Sequence, residues 1–79
     1  MRFEYDEQAN AVYVYLRPGE IRVAQTRALD AQRIVDYDEH GDPVGIEFLA
    51  VSRGVDLRDL PYQPELTSYF KAHQIPIFA

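Results

Sequence analysis

The segment Ala11-Val12-Tyr13-Val14-Tyr15-Leu16 is apolar at six consecutive positions and is built from β-branched and aromatic side chains. In a β-strand, neighbouring residues point to opposite faces, so this run has no face to give entirely to water. It is too short for a membrane span and too β-rich for a helix. It fits a central strand with a neighbour on each side and apolar cover above and below. Any fold for the chain must supply those neighbours.

The flanking sequence does. Phe3 and Tyr5 alternate with Arg2, Glu4 and Asp6, a half-buried strand, and Glu7-Gln8-Ala9-Asn10 is a polar turn leading into the central run. Pro18-Gly19 suits the middle of a type II turn, because proline pre-sets φ and glycine accepts positive φ. A more polar third strand is then expected over Ile21 to Leu29, returning along an edge. Val35 and Tyr37 mark a fourth strand, Glu39-His40-Gly41-Asp42 a tight turn, and Val44, Ile46 and Phe48 share one face of a fifth strand that Pro43 can only begin. Five strands joined by short turns predict an antiparallel meander, with about four to five strands formed.

After Ser52 the periodicity changes. Gly54 to Pro61 reads as an ordered linker with a helical turn that sends Leu57 and Leu60 inward. Pro64 at the first helical position and Glu65 in the first turn open a helix, with Leu66, Tyr69, Phe70 and His73 on one apolar stripe. His73 is expected to pack there, partly buried. The last residues, Ile75-Pro76-Ile77-Phe78-Ala79, are apolar enough to require docking on this sheet or on a partner. The expected class is therefore α+β: an antiparallel β-meander with one C-terminal α-helix packed on it. With 79 residues the chain is read as a single domain, residues 1–52 the meander, 53–63 the linker and 64–79 the helix and tail.

Charge and composition exclude several functions. Thirteen Asp and Glu against eight Lys and Arg give a net charge of −5, and the only lysine is Lys71. Nucleic-acid binders neutralise phosphate with clustered cations, so direct DNA or RNA binding is disfavoured and a basic protein partner is the better fit. With no cysteine there are no disulfides, thiolate metal sites or thiol nucleophiles. The acidic, alternating start is not that of a secretory signal, and a cytoplasmic, membrane-free location is expected. Ser52 and Ser68 are the only serines and neither lies in G-x-S-x-G. No phosphate-binding glycine loop is present, so no cofactor and no catalytic residue is assigned.

Two further groups carry functional alternatives. Asp36-x-Asp38-x-His40-Gly41, with Glu47 at the twelfth position, imitates a calcium-binding loop, in which alternate carboxylates wrap a hard cation. Histidine at the fifth position, Pro43 in the second half and flanking strands all depart from that motif. Asp36, Asp38, Asp42 and Glu47 are thus read either as turn and outer-face residues or as the ligands of a metal-binding protein or metal-dependent hydrolase. The second group is apolar. One short helix cannot cover both faces of a sheet, which leaves Tyr13 and Tyr15, with Ile75, Ile77 and Phe78 of the tail, as candidate interface residues of a homodimer or of a complex with another protein.

Tyr5-Asp6-x-x-Ala9-x-Ala11-x-Tyr13-Val14-Tyr15-Leu16, followed by Ile34-Val35-Asp36-Tyr37-Asp38-Glu39-x-Gly41-x-x-Val44-Gly45-Ile46-Glu47, resembles the small bacterial family known as domain of unknown function 2283. The resemblance spans roughly the first fifty residues. It departs at Asn10, where the family more often has Asp, and at His40, where Asp or Asn is usual. It implies a stand-alone antiparallel sheet with a helix, and a setting in which some members accompany small genes in arrangements like toxin–antitoxin pairs. No catalytic residues follow from it. The functional expectation is a non-enzymatic protein-interaction module, antitoxin-like, whose partner is a small basic protein.

Overall fold

The computed structural model describes residues 1–78. Five strands, β1 (Arg2–Asp6), β2 (Ala11–Tyr15), β3 (Gln25–Ala28), β4 (Arg33–Tyr37) and β5 (Pro43–Leu49), precede a 3-10 turn at Val51–Arg53 and a single helix, α1 (Gln63–Ala72). The strands form one antiparallel sheet, and the expected α+β class holds.

The order within the sheet is β1-β2-β5-β4-β3, which is not a sequential meander. The central strand β2 has β1 on one side and β5 on the other, with Val12 opposite Phe48 and Val14 opposite Ile46. The expected strand over Ile21 to Leu29 shortens to Gln25–Ala28 and pairs with β4, not β2. Pro18-Gly19 therefore starts a crossover from the centre of the sheet to its far edge. Gly19 does take positive φ, at 76°. The polar composition of β3 is explained by its place: an edge strand with all four residues exposed.

Local chemistry sets the hairpins. At the β1–β2 turn the Asp6 carboxylate accepts the Ala9 N–H at 3.0 Å, and Asn10 sits in the left-handed region at φ 55°, which asparagine tolerates. Asn10 then grips the chain after β5, donating from Nδ2 to Ser52 Oγ at 2.9 Å and accepting the Ser52 N–H at 3.0 Å. In the β4–β5 turn Gly41 has φ 81° and donates its N–H to Asp38 O at 3.0 Å.

One face of the sheet carries the core: Val12, Val14, Val35, Ile46 and Phe48, covered by Leu57 and Leu60 of the linker and by Leu66 and Phe70 of α1. Tyr69 stacks on Phe3 with ring centroids 3.9 Å apart, which ties the helix to the β1 edge. Pro64 is the second helical residue, since α1 starts at Gln63. His73 is exposed, not partly buried; it ends the helix and lies against the Tyr69 ring at 4.2 Å.

The tail docks on its own chain. Ile75 is buried and donates its N–H to Phe70 O at 2.9 Å. Pro76 O accepts the Val55 N–H at 2.8 Å, and the Phe78 N–H reaches Val55 O at 2.9 Å, a short parallel pairing of Ile77 with Val55. Ala79 lies outside the described residues.

Arg33 is a charged side chain buried in the sheet. It is 8% exposed on the core face at the start of β4. Its Nε donates to Asp30 Oδ2 at 2.9 Å, and Nη1 to the carbonyl of Arg58 at 2.6 Å and to that of Asp56 at 3.4 Å. The guanidinium thereby fastens the linker, which has no regular structure of its own, to the sheet.

Candidate functional site

Everything after β5 packs on the core face. The opposite face of the sheet is left open, and the pairing register fixes what it shows. Directly opposed residues in an antiparallel pair share a face, so Arg2, Glu4 and Asp6 of β1 stand beside Tyr15, Tyr13 and Ala11 of β2. Next come Gly45, Glu47 and Leu49 of β5, then Asp36 and Ile34 of β4, then Thr26 and Ala28 of β3. The face therefore holds two tyrosines, two large aliphatic side chains, and one cation against four carboxylates.

Its centre is a polar lock across three strands. The Tyr13 hydroxyl donates to Asp36 Oδ2 at 2.6 Å, and the Thr26 hydroxyl donates to Asp36 Oδ1 at 2.6 Å. Tyr13 and Asp36 belong to strands on either side of β5, so the ring has to cross it, and it crosses at Gly45. A Cβ on Gly45 would collide with the Tyr13 hydroxyl and lie 2.6 Å from the ring Cζ. Gly45 is thus the floor on which the ring rests. Burial, and then the bond to the Asp36 carboxylate, hold the Tyr13 phenol well above its ordinary pKa, so it is a neutral donor.

Towards β1 the same chemistry recurs in a second form. Tyr15 donates from its hydroxyl to Glu4 Oε1 at 2.9 Å, the Arg2 guanidinium lies 3.8 Å from the Tyr15 ring centroid, and Arg2 Nη1 bonds Glu4 Oε2 at 2.8 Å. The Tyr15 bond first and the Arg2 bond second lower the Glu4 carboxyl below its usual value. The Tyr13 and Tyr15 rings meet edge to face at 4.8 Å. Glu47, opposite Tyr13 in the register, has no ion-pair partner among the described residues.

The four carboxylates of the alternative metal set are not brought together. Asp36 and Glu47 lie on the open face. Asp38 is consumed by the hairpin, where it accepts the N–H groups of Asp42 at 3.0 Å and His40 at 2.9 Å and the Arg17 guanidinium at 2.9 Å. Those bonds, the Asp42 N–H foremost, hold its carboxyl below the ordinary value. Asp42 faces Arg17 at 3.4 Å. Among the described residues no group of three His, Cys, Asp or Glu side chains could hold a metal ion. The resemblance to a calcium loop reflects turn chemistry, in which an aspartate folds the backbone over itself and a glycine takes the left-handed position.

Of the five candidate interface residues, Tyr13 and Tyr15 are on the open face, half-buried among their neighbours. Ile75 is buried in the chain's own core, Ile77 is half-buried against it, and Phe78 is exposed while its ring edge covers Gly54. The residues that sequence reasoning missed are Gly45 and Thr26, whose roles come from strands distant along the chain. A further hollow of about 460 Å³ lies between the crossover and the β4–β5 turn, lined by Arg17, Ile21, Arg22, His40 and Val44 among others, and is widely open to solvent. No helix among the described residues is long and apolar enough to cross a membrane.

No curated protein and no solved structure matches the chain. Residues 2–52 match the family described as a protein of unknown function (DUF2283). That span runs from β1 into the 3-10 turn and contains the whole sheet with its tyrosine lock; the chain belongs to this family.

Proposed function

We propose that the chain is a protein-interaction module that acts by binding rather than by catalysis, and that it offers the open face of its sheet to a basic protein. The observation that supports this reading most directly is the asymmetry of the sheet. Linker, helix and tail are all spent on one face, and the other keeps two tyrosines at its centre, ringed by carboxylates. Aromatic rings at the middle of a patch with a polar rim are the composition of binding hot spots. A second copy laid on this face would set four carboxylates against four, whereas a basic partner gains from opposite charge and associates faster. The antitoxin setting suggested by the family resemblance fits this reading, the partner then being a small basic toxin.

The test is affinity purification of the protein at native level from its own cells, with intact-mass stoichiometry, for the wild type and for Glu47→Lys. The expected result is one small basic protein held at a fixed ratio by the wild type and lost from the variant, whose thermal unfolding stays unchanged. A wild-type protein that comes alone, or a companion that the variant holds equally well, would overturn the reading. Light scattering on the purified chain separates a homodimer from these outcomes.

A further inference from the structure

The open face already holds one guanidinium, and how it does so indicates what a partner would place beside it. Arg2 is stacked on the Tyr15 ring at 3.8 Å and bonded to Glu4 at 2.8 Å, so an aromatic surface and a carboxylate take the two parts of one planar cation. The adjacent strand pair repeats those components. Across β1 and β2 the position opposite Tyr15 is taken by the cation Arg2 itself and Glu4 lies diagonally from the ring, whereas Tyr13 stands opposite Glu47 across β2 and β5, a ring beside a carboxylate. Here, however, no cation is supplied by the chain: among the described residues Glu47 has no ion-pair partner.

We infer that Tyr13 and Glu47 form a cradle for an arginine side chain of the bound protein, which would lie along the open face with its guanidinium on the Tyr13 ring and forked onto the Glu47 carboxylate. This inference rests on the proposed function and adds the side chain that is recognised. Three features suit it. The Tyr13 ring is held in place before any partner arrives, its hydroxyl tied to Asp36 at 2.6 Å and its underside on Gly45. Ile34, the register partner of Glu47 on β4, offers apolar surface for the methylene stem. Charge favours the ligand as well, since the face has one cation against four carboxylates. Arginine is preferred to lysine because a planar, weakly hydrated guanidinium can stack and bond bidentately together, and a compact ammonium cannot.

The probe is an acetylated and amidated pentapeptide with one central arginine flanked by glycine and serine, titrated into the 15N-labelled full chain and followed by amide shifts. Saturable shifts centred on Tyr13, Glu47 and Ile34 are expected. A lysine peptide should bind about three- to fivefold more weakly, and so should the arginine peptide to Glu47→Gln, as for one exposed ion pair. Arg2→Gln should create a second response at Tyr15 and Glu4, because it empties the occupied cradle. The spectra of both variants report their folding directly. Shifts centred elsewhere, equal binding of the two peptides, or indifference to Glu47→Gln would overturn the cradle. If that happens while the native basic companion is still lost from Glu47→Lys, the proposed function stands and the arginine assignment alone falls; if the companion is also indifferent, both fall.

Discussion

Gly45→Ala should destabilise the chain, although alanine is the better residue for a strand in general. Gly45 is not in the left-handed region, so the backbone itself would accept a side chain. The obstacle is the Tyr13 ring, whose hydroxyl occupies the place of the new methyl group. The ring can swing aside, and in doing so it gives up its 2.6 Å bond to Asp36. A hydrogen bond to a charged group contributes about 1.5–3 kcal/mol, and replacing glycine in a strand returns about 0.5–1 kcal/mol. The net cost is about 1–2 kcal/mol, which for a domain of this size lowers Tm by roughly 5–15 °C. The decisive assay is a double-mutant cycle with Tyr13→Ala, measured by urea and thermal denaturation. Without the ring, the same Gly45→Ala change should stabilise the protein by about 0.5–1 kcal/mol. Destabilisation of equal size in both backgrounds would show that the ring is not what excludes a side chain at Gly45, and would refute the lock.

Arg33→Ala should cost about 3–5 kcal/mol, the usual penalty for removing one member of a buried charged network, whereas Arg27→Ala on the exposed edge strand should stay within about 0.5 kcal/mol; urea unfolding of the two variants tests the contrast. Ile75→Ala should cost about 2–5 kcal/mol because the side chain is buried in the chain's own core, and the same measurement would expose an error if the loss were confined to partner binding. Asp56, held down to about 2 by the Arg58 side chain, then the Arg58 N–H and Arg33, binds its proton more weakly folded than unfolded. Its contribution is therefore complete above the ordinary value of 3.8 and fades as the pH falls towards 2; acid titrations of stability should be flatter across that window in Asp56→Asn than in the wild type.

The strands, their faces and the helix were legible in the sequence because each is written in a local period: Val44, Ile46 and Phe48 at spacing two, Leu66 and Phe70 at spacing four. The turns were legible for the same reason, Asp38 and Gly41 acting on their nearest neighbours. Sheet order was not, since alternation says which way a side chain points and nothing about which strand lies alongside. The apolar run of β2 required a strand along each edge, and the nearest candidate along the chain, the segment after Pro18-Gly19, is too polar to serve: the more apolar β5 takes that place and β3 moves to the edge. Likewise the role of Gly45 was not legible, because the side chain that occupies its space belongs to another strand. The burial of Arg33 was not legible either, because it depends on the carbonyls of Asp56 and Arg58, which become its ligands once the linker has folded over.

The strand order also bears on how the chain reaches its fold. The hairpins β3–β4 and β4–β5 close over short loops, but β2 must find β5 across nearly the whole sheet sequence, Ala11 against Leu49. Long loops are the slow closures in a search for the native state. During synthesis the most apolar strand emerges before β5 and has only β1 beside it until β5 is complete. In that interval its inner edge is open to pairing with any other chain.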